Sequence, residues 1–485
     1  MVKSVNNWID GHYVTSKTMD YLKKFNPHNG KVITKLPNST NEDVKLAIDA
    51  ASKAFLSWSQ LTSIERSKYL FKFVSVLKAK ESMLAKCVAE ECGKPIKDAL
   101  GEVSAAILQG EYFASEGMRM YGKTLSSSMR GKVVQSIRAP LGVAALIVPA
   151  NTPIANIAWK VFPALICGNT VVLKASEDAP VIANIFAELS KKSLLPDGVL
   201  NVVHGSGEIT GEALTNDKRI KVISFTGSTA VGKVIAMKAS KNLKRVSLEL
   251  GGKNPIVICD DADLDNAIKW SLLSAFSNAG QRCASASRIL VSKNIYDKFK
   301  KRIVLKAKKL RLGINDTSDL GPVINSKQYK NIMMSIKRLV SEGGNVICGE
   351  NPLLKKTKNK GYYIKPTIVE NLPKSSFFLN TELFGPVCSI EPFSNLNDAI
   401  KTSNSSVYGL TAAIHTKNID NALNYSYRVN FGTVNVNIGT FGSEPHMPFG
   451  GFGESGNGTR EPGIEALDVY SELKNISIVY DINKK

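Results

Sequence analysis

The sequence contains few of the residues that build disulfide-linked or metal-bound folds. It has 7 cysteines and 5 histidines in 485 residues. The number of cysteines is odd, and only Cys87 and Cys92 lie close together, without the CxxC spacing of a zinc site. These features argue against a disulfide framework and a metal site. They predict free thiols in a reducing compartment, and therefore a cytoplasmic protein.

Acidic residues are outnumbered, with 42 Asp and Glu against 63 Lys and Arg, a net charge of +21. The basic residues are mostly lysines spread along the chain, and the densest patch is LKKTKNK at residues 354–360. This patch lacks the interleaved arginines and aromatics of a nucleic-acid surface, so we predict a solvated loop and no nucleic-acid partner. The overall positive field would favour anionic small molecules.

Long apolar runs are also scarce. The amino-terminal stretch MVKSVNNWIDGHYV has no apolar core of the kind found in signal peptides. Only residues 139–159, 21 positions without a charge, have the length of a membrane span, and they contain three prolines and two asparagines. We predict a buried strand, a tight loop and a buried helix there, and no membrane partner.

The composition is typical of a globular protein, with 43% hydrophobic and 22% charged residues. The length suggests roughly three domains of about 150 residues. The first 120 residues follow a mainly helical pattern, and from about residue 142 short apolar strands alternate with helices. A second alternating series begins after Glu249. This rhythm predicts an α/β fold with two doubly wound, mainly parallel sheets.

Two strand ends in the first series are candidates for nucleotide binding. The glycines of FTGSTAVG, with Gly227, Ser228 and Gly232, lie at a strand-to-helix turn where a phosphate can approach backbone N–H groups. A plain helix N-cap at Ser228 explains this turn equally well. The strand VVLKASE ends with Lys174 and Glu177. A carboxylate there can accept from a ribose hydroxyl and repel a 2′-phosphate, although an exposed charge pair is the alternative.

Three further side chains are suited to catalysis. Cys283 follows a polar, glycine-containing turn and has Arg282 beside it, a setting that suits a nucleophilic thiolate, although a small packing residue is the alternative. Glu249 lies between apolar residues and a glycine pair, a setting that raises a carboxyl pKa, although a solvated turn remains an alternative. Asn151, in a proline-bracketed loop, is either an oxyanion donor or a turn residue.

Taken in order, these segments resemble the NAD(P)-dependent aldehyde dehydrogenase superfamily. The resemblance covers nearly the whole chain and is carried by PANTP, KASE, FTGST, LELGGKNP, NAGQRC, ELFGPV and MPFGGFGESGNGTREPG. It implies that Cys283 attacks an aldehyde, that Asn151 stabilises the oxyanion and that Glu249 activates the water that hydrolyses the thioester. It implies NAD, with NADP less favoured, bound by Lys174, Glu177, Gly227, Ser228, Gly232, Leu250, Glu382 and Phe384.

The resemblance also implies an aldehyde dehydrogenase-like fold of two α/β domains with a small β arm that bridges subunits. The expected NAD-binding domain comprises residues 1–121 and 142–250, and the catalytic domain residues 251–450. The oligomerisation arm would comprise residues 122–141 and 465–485. Such arms pair subunits, so we expect a homodimer or a homotetramer.

The predicted substrate is a small polar aldehyde. Ala150 and Thr152 replace the aromatics found in members that act on hydrophobic aldehydes, and Trp159, Arg282 and Phe449 are candidates to line the substrate pocket. The sequence is similar to semialdehyde and lactaldehyde dehydrogenases, so we expect a semialdehyde, lactaldehyde or glycolaldehyde. The alternatives are a semialdehyde dehydrogenase that acylates CoA, a reductase working toward the aldehyde, and a non-catalytic binding protein.

Overall fold

Two seven-stranded sheets organise the chain, one built mainly from residues before 250 and the other from residues after it. The computed structural model describes residues 2–349 and 361–481. The lysine-rich patch at 354–360 therefore lies outside the described residues. Each sheet has hydrophobic clusters packed against it, and the strands of the first sheet from residue 143 to 203 are buried throughout.

The first sheet has the strand order of a doubly wound domain. Its five parallel strands lie side by side as Arg245–Glu249, Ile220–Thr226, Val143–Ile147, Thr170–Lys174 and Leu200–Val203. The amino-terminal hairpin of Asn7–Ile9 and His12–Val14 continues the sheet antiparallel to the last of them. The order reverses beside Val143–Ile147, and in such sheets ligands bind in the crevice that opens at that point.

The helices of the first half follow the predicted apolar periodicity. Thr40 and Thr62 form capping boxes, and Gly93 in the left-handed conformation ends a helix at Cys92. The helix predicted within residues 139–159 begins at Pro153, because proline is well tolerated in the first helical turn. The helices are Asn41–Trp58, Ser63–Ala79, Glu81–Cys92, Ile96–Glu116, Pro153–Ile166, Pro180–Lys192, Gly207–Gly211 (a π-helix), Glu212–Asn216 and Thr229–Ser240.

The second sheet is also mainly parallel. Its strands lie in the order Asn345–Cys348, Thr367–Glu370, Val387–Phe393, Ala286–Ser292, Asn254–Ile258, Thr411–His415 and Thr433–Val436, and the first of them is antiparallel to its neighbour. The α-helices are Leu264–Phe276, Tyr296–Ala307, Ser326–Ser341, Leu396–Ser403 and Ile419–Arg428, and the 3₁₀ turns are Ser277–Gly280, Lys293–Ile295 and Phe377–Asn380. The predicted α/β fold with two mainly parallel sheets is therefore confirmed.

A three-stranded antiparallel sheet projects from the first half. It consists of Ser471–Val479, Lys132–Pro140 and Lys123–Leu125. The helix Ala466–Tyr470, just before its last strand, packs in the core of the first half. Two small sheets complete the fold, one of Lys3–Ser4, Val32–Pro37 and Tyr21–Phe25 and one of Tyr408–Gly409 and Phe452–Gly453.

The uncharged stretch at residues 139–159 forms a strand, a loop and the start of a helix, as predicted. Within residues 2–349 and 361–481, no helix combines the length and the apolar character needed to cross a membrane.

Candidate active site

A cavity of about 540 Å³ lies where the two halves of the chain meet. The first half contributes the loop after Val143–Ile147, the helix Pro153–Ile166 and the turn at 226–228. The second half contributes Cys283, the helix Ser326–Ser341 and the loop at 381–384, and residues 250 and 251 lie at the junction. The cavity is lined by eight of the residues singled out in the sequence, namely Asn151, Trp159, Gly227, Ser228, Leu250, Cys283, Glu382 and Phe384.

A second cavity of about 610 Å³ adjoins the first and shares Pro149, Thr226 and Ser228 with it. Lys174 and Glu177 line the second cavity. Together the two cavities form an elongated space. One end of this space holds the Lys174 and Glu177 side chains, and the other end holds the Cys283 thiol.

Gly232 lines neither of the two cavities and acts instead through packing. A Cβ atom at this position would lie 2.5 Å from Cδ2 of Leu250. The glycine therefore allows the helix Thr229–Ser240 to lie close against Leu250, which lines the first cavity.

The loop before Cys283 has an unusual backbone. Asn278, Ala279 and Gly280 all lie in the left-handed region, with φ values of 53°, 54° and 67°. At Gly280 a Cβ atom would lie 2.2 Å from the carbonyl oxygen of Gly385, so no other residue fits there without displacing backbone. The sequence motif shows the glycine, but it does not show the two left-handed residues in front of it.

Buried side chains hold the Cys283 loop from behind. The amide of Asn254 donates to the carbonyl oxygens of Cys283, at 2.7 Å, and Ser285, at 2.9 Å. The Thr440 hydroxyl donates to the Ala284 carbonyl at 2.6 Å. Asn254 and Thr440 are fully buried. Sequence reasoning missed both as functional residues, although Asn254 belongs to the quoted LELGGKNP segment.

Cys283 differs from the other cysteines in exposure. It is half-buried and lines the first cavity, whereas the other six cysteines are buried. Burial raises the pKa of the Cys283 thiol to about 12, and the carboxylates of Glu382 and Glu249 raise it further toward that value. In this state the thiol is therefore protonated at neutral pH, and it needs a proton acceptor to become a nucleophile.

The Asn151 loop is fixed from both halves of the chain. Its side-chain amide donates to the Gln281 carbonyl at 2.9 Å, and the Asn278 amide donates to the Asn151 carbonyl at 3.1 Å. The amine of Lys94 donates to the same Asn151 carbonyl at 2.7 Å. Asn151 is thereby joined directly to the turn that carries Cys283.

Lys94 also forms a buried ion pair with Glu102, at 2.7 Å, and each side chain is only 3% exposed. The other carboxylate oxygen of Glu102 accepts from the backbone N–H of Ile154 at 3.0 Å, in the first turn of Pro153–Ile166. This pair was missed in the sequence, because a single lysine after a glycine has no diagnostic spacing.

Glu249 lies behind the cavity wall and does not line it. Its carboxyl group is buried, and neither oxygen has a hydrogen-bond partner within the described residues. Burial raises the pKa of Glu249 well above its ordinary value, and Glu461 adds to this while Lys160 opposes it. Lys160 itself forms an ion pair with Glu461 at 2.6 Å, so its positive charge is balanced mainly by that carboxylate.

Glu382 and Phe384 lie on a loop that accepts hydrogen bonds from neighbouring segments, including one from the Lys253 amine to the Thr381 carbonyl at 3.0 Å. Glu382 accepts from the Gly252 backbone N–H at 3.1 Å, and burial raises its pKa to about 7. The Gln328 amide donates to the carbonyls of Leu383, at 2.7 Å, and Phe384, at 3.0 Å. Phe384 has a φ of 52°, so this loop is also held in a left-handed conformation beside the cavity.

The second cavity contains charges of both signs. The Lys174 amine is buried and lies 3.6 Å from the carboxylate of Glu177, whose side chain is 49% exposed. Burial lowers the pKa of Lys174, and the Glu177 charge opposes that shift. Glu208, Glu212 and Lys238 also line this cavity.

The three predicted substrate residues have different positions. Trp159 lines the first cavity and packs edge-to-face on Phe449, with ring centroids 5.6 Å apart. Phe449 is buried behind it, and neither Phe449 nor Arg282 lines the cavity. The Arg282 guanidinium lies 4.7 Å from the centre of the Phe441 ring and donates to the Ser277 hydroxyl. The described part of the chain contains no cluster of three or more potential metal-ligating side chains.

Comparison with known proteins agrees with this arrangement. Residues 13–476 match the aldehyde dehydrogenase family. The α-ketoglutaric semialdehyde dehydrogenase of Bacillus subtilis is 34% identical over 97% of each chain. The D-glyceraldehyde dehydrogenase (NADP(+)) of Picrophilus torridus is 33% identical over 98% of this chain and 96% of its own.

A solved structure gives the same result. The betaine aldehyde dehydrogenase of Staphylococcus aureus in complex with NAD+ superposes with a TM-score of 0.94, at 32% identity, over 99% of this chain and 96% of its own. The predicted fold and the predicted oxidation of aldehydes are thereby confirmed, and the chain belongs to the aldehyde dehydrogenase family.

Proposed function

We propose that this protein oxidises a small polar aldehyde to the carboxylic acid with NAD as electron acceptor. The observation that carries the proposal is the shared cavity. Cys283 and Asn151 line the same space as Glu382 and Phe384, and this space opens into the cavity of Lys174 and Glu177. A thiol, an amide donor and a place for a dinucleotide are the parts that this reaction requires.

In the first step the Cys283 sulfur bonds to the aldehyde carbon and gives a thiohemiacetal. The thiol must lose its proton first, because its pKa is raised to about 12 in this state. The carbonyl oxygen gains negative charge as the bond forms. The free N–H of the Asn151 amide and the backbone N–H of Cys283 would stabilise that charge.

Glu249 would act as the general base in the last step, when water releases the acid from the thioester on Cys283. A raised carboxyl pKa suits this role, because it makes the Glu249 carboxylate a stronger base than an ordinary glutamate. The carboxyl group does not line the cavity in this structure, so it must turn toward Cys283 to reach the water. The absence of hydrogen bonds to its oxygens leaves it free to do so.

The residues of the two cavities fit a nicotinamide dinucleotide. Ser228 caps the helix Thr229–Ser240 between the cavities, which places backbone N–H groups where a pyrophosphate binds. When bound, such a cofactor supplies the hydride acceptor for the oxidation. Lys174 and Glu177 would hold the adenosine ribose, and Glu382 and Phe384 would hold the nicotinamide end.

We propose NAD in preference to NADP. Glu177, Glu208 and Glu212 bring three carboxylates to the second cavity, and these would repel a 2′-phosphate. The relative from Picrophilus torridus has NADP(+) in its name, whereas the Staphylococcus aureus structure contains NAD+. Measuring kcat/KM with NAD and NADP tests this point directly. Glu177→Ser should reduce the NAD preference by about tenfold, which corresponds to about 1.4 kcal/mol.

The proposed substrates are a semialdehyde, lactaldehyde or glycolaldehyde. Thr152 and Asn156 line the same cavity as Cys283, and two relatives are named for the semialdehyde of α-ketoglutarate and for D-glyceraldehyde. We also propose a cytoplasmic homodimer or homotetramer. The exposed apolar side chains of the strand Ser471–Val479, such as Leu473, support subunit pairing through this arm.

The test is a panel of aldehydes assayed for NADH formation with the purified protein. Cys283→Ala should abolish activity, whereas the matched control Cys259→Ala, at a buried thiol outside the cavity, should keep it. A higher kcat/KM for hexanal than for succinic semialdehyde and lactaldehyde would contradict the polar substrate class. If acyl-CoA forms when CoA is added, then CoA, and not water, accepts the acyl group in the last step.

A further inference from the structure

The short segment at residues 324–328 contacts two of the loops that form the first cavity. The backbone N–H of Ile324 donates to the Oε1 atom of Gln281 at 2.8 Å, in the turn before the cysteine thiol. The Gln328 amide donates to the carbonyls of the loop at 382–384, which lines the cavity. The segment is therefore bonded both to the turn that carries the thiol and to the loop proposed to hold the nicotinamide end.

Asn325 extends these contacts to the first half of the chain. Its Nδ2 atom donates to the Asp178 carboxylate at 2.6 Å. Its Oδ1 atom accepts from the backbone N–H of Gln328 at 2.8 Å and thereby caps the helix Ser326–Ser341. One side chain thus joins a loop of the first half to the helix turn that carries Gln328.

Asp178 directly follows a residue proposed to hold the adenosine ribose. That residue, Glu177, lines the second cavity. The Asp178 carboxylate also pairs with the Lys24 amine at 3.2 Å, and the lysine side chain is 0% exposed. The same amine donates to the Ile324 carbonyl at 3.4 Å. Because this carboxylate is held by a buried cation, its bond to Asn325 fixes the helix turn relative to the loop at the adenosine end.

These bonds form one path between the two ends of the elongated space. The path runs from the loop at 177–178 through Asn325 and Gln328 to the loop at 382–384. A dinucleotide occupies both ends at once, so it gains affinity only when the two ends are held at the right separation. A mononucleotide that fills one end does not depend on that separation.

We propose that Asn325 is a positioning residue that fixes the nicotinamide end of the site relative to the adenosine end. The inference rests on the proposed function and deepens it, because it states how the two cavities act as one site for a dinucleotide. Asn325 lines neither cavity and acts through Asp178 and Gln328. Loss of its amide bond should therefore weaken binding of the whole dinucleotide more than binding of the adenosine half.

Three variants separate the bond to Asp178 from the helix cap. Asn325→Ser keeps a capping oxygen but is too short to donate to the carboxylate. Asn325→Asp also keeps the cap and places a second carboxylate against the first. The exchange Asp178→Asn/Asn325→Asp restores an amide-to-carboxylate bond with the donor on the other side. The matched control is Asn395→Ser, because Asn395 caps the helix Leu396–Ser403 in the same extended conformation and lines neither cavity.

The first readout is the Kd of NAD and of AMP, measured for each protein by isothermal titration calorimetry without an aldehyde. Asn325→Ser should raise the Kd of NAD about tenfold, as the loss of a hydrogen bond to a charged group predicts. The Kd of AMP should rise by less than about threefold, because AMP fills one end only. The titration gives the number of sites separately, so an unfolded fraction lowers that number and leaves the Kd unchanged.

The other variants test the cause of the loss. Asn325→Asp should weaken NAD binding at least as much as Asn325→Ser, because two carboxylates then face each other. The exchange should return the Kd of NAD to within about threefold of the wild type. Asn395→Ser should leave both constants within about twofold of the wild type. In steady-state assays kcat of Asn325→Ser should also fall about tenfold, because the nicotinamide loop is held less firmly.

An unchanged Kd of NAD in Asn325→Ser, or equal weakening of NAD and AMP, would overturn the positioning role. A loss that the exchange does not reverse would also overturn it, since the effect would then not come from the bond to Asp178. If the wild type oxidises no aldehyde, the proposed function itself is wrong, and the two dissociation constants still decide the role of Asn325.

Discussion

Replacing Lys94 with methionine tests whether the buried ion pair positions Asn151. The lysine amine donates to Glu102 and to the Asn151 carbonyl, each at 2.7 Å. Methionine keeps the length of the side chain but removes the charge and both hydrogen bonds. Glu102 is then left with its bond to the Ile154 N–H at 3.0 Å.

The expected cost follows from burial. Each side chain of the pair is 3% exposed, and removing one partner of a buried pair costs about 3–5 kcal/mol. The remaining bond from Ile154 places Lys94→Met near the lower end of that range. For catalysis, loss of an oxyanion donor costs about 100- to 1000-fold in kcat. Asn151 keeps its contact with Asn278, so we expect a loss of about 10- to 100-fold.

The assay measures kcat, KM and the thermal midpoint for Lys94→Met and for the double variant Lys94→Met/Glu102→Leu. The double variant should recover stability, because an apolar pair replaces an unpaired buried charge. It should not recover kcat, because the anchor on the Asn151 carbonyl is still absent. Lys86→Met, at an exposed lysine on the preceding helix, is the matched control and should resemble the wild type.

A kcat/KM for Lys94→Met within threefold of the wild type would show that the loop holds Asn151 without this anchor. Recovery of kcat together with stability in the double variant would mean that the pair acts on the fold alone.

Three more expectations concern other parts of the site and its support. Burial raises the pKa of Glu91 to about 7 from 4.5. Between these two pH values the native state holds a proton that the unfolded state has lost, so the free energy of unfolding falls as the pH rises. The thermal midpoint of the wild type minus that of Glu91→Gln should therefore be larger at about pH 5 than at about pH 8. Gly280→Ala should lose at least about 90% of kcat, since its Cβ would meet a backbone oxygen at 2.2 Å. Gly343→Ala, with a φ of 96° and open space, should cost only about 1–2 kcal/mol of stability and no activity. Asn254→Ala should lower kcat/KM about 10- to 100-fold in steady-state assays, and unchanged kinetics would show that the Cys283 loop holds its own shape.

Much of the fold was predictable because it follows from local patterns. Apolar runs located the parallel strands, and the helix Glu81–Cys92 lies within the first 120 residues, where the sequence has a helical pattern. The residues quoted for the cavity lie in short motifs, and the family resemblance that these motifs carry was what grouped them into one predicted site.

The remaining features depend on contacts between distant segments, which the sequence does not encode locally. Lys94 and Asn151 are 57 positions apart, and nothing near Lys94 indicates that its amine is buried. The direction of Arg282 was open in the same way, because its side chain is set by packing on Phe441. Tertiary context also decided that Asn278 and Ala279 adopt left-handed conformations, which their residue types do not require.

The buried pair of Lys160 and Glu461 has a consequence for biosynthesis. Its members are separated by 301 positions, and the helix Ala466–Tyr470 completes the same hydrophobic core. At about 5–20 residues per second, a ribosome needs roughly 15–60 seconds to make the second partner after the first. During that time the emerging amino-terminal half carries an uncompensated lysine in an unfinished core. We therefore expect this half to complete its folding only after residues 461–470 have been synthesised.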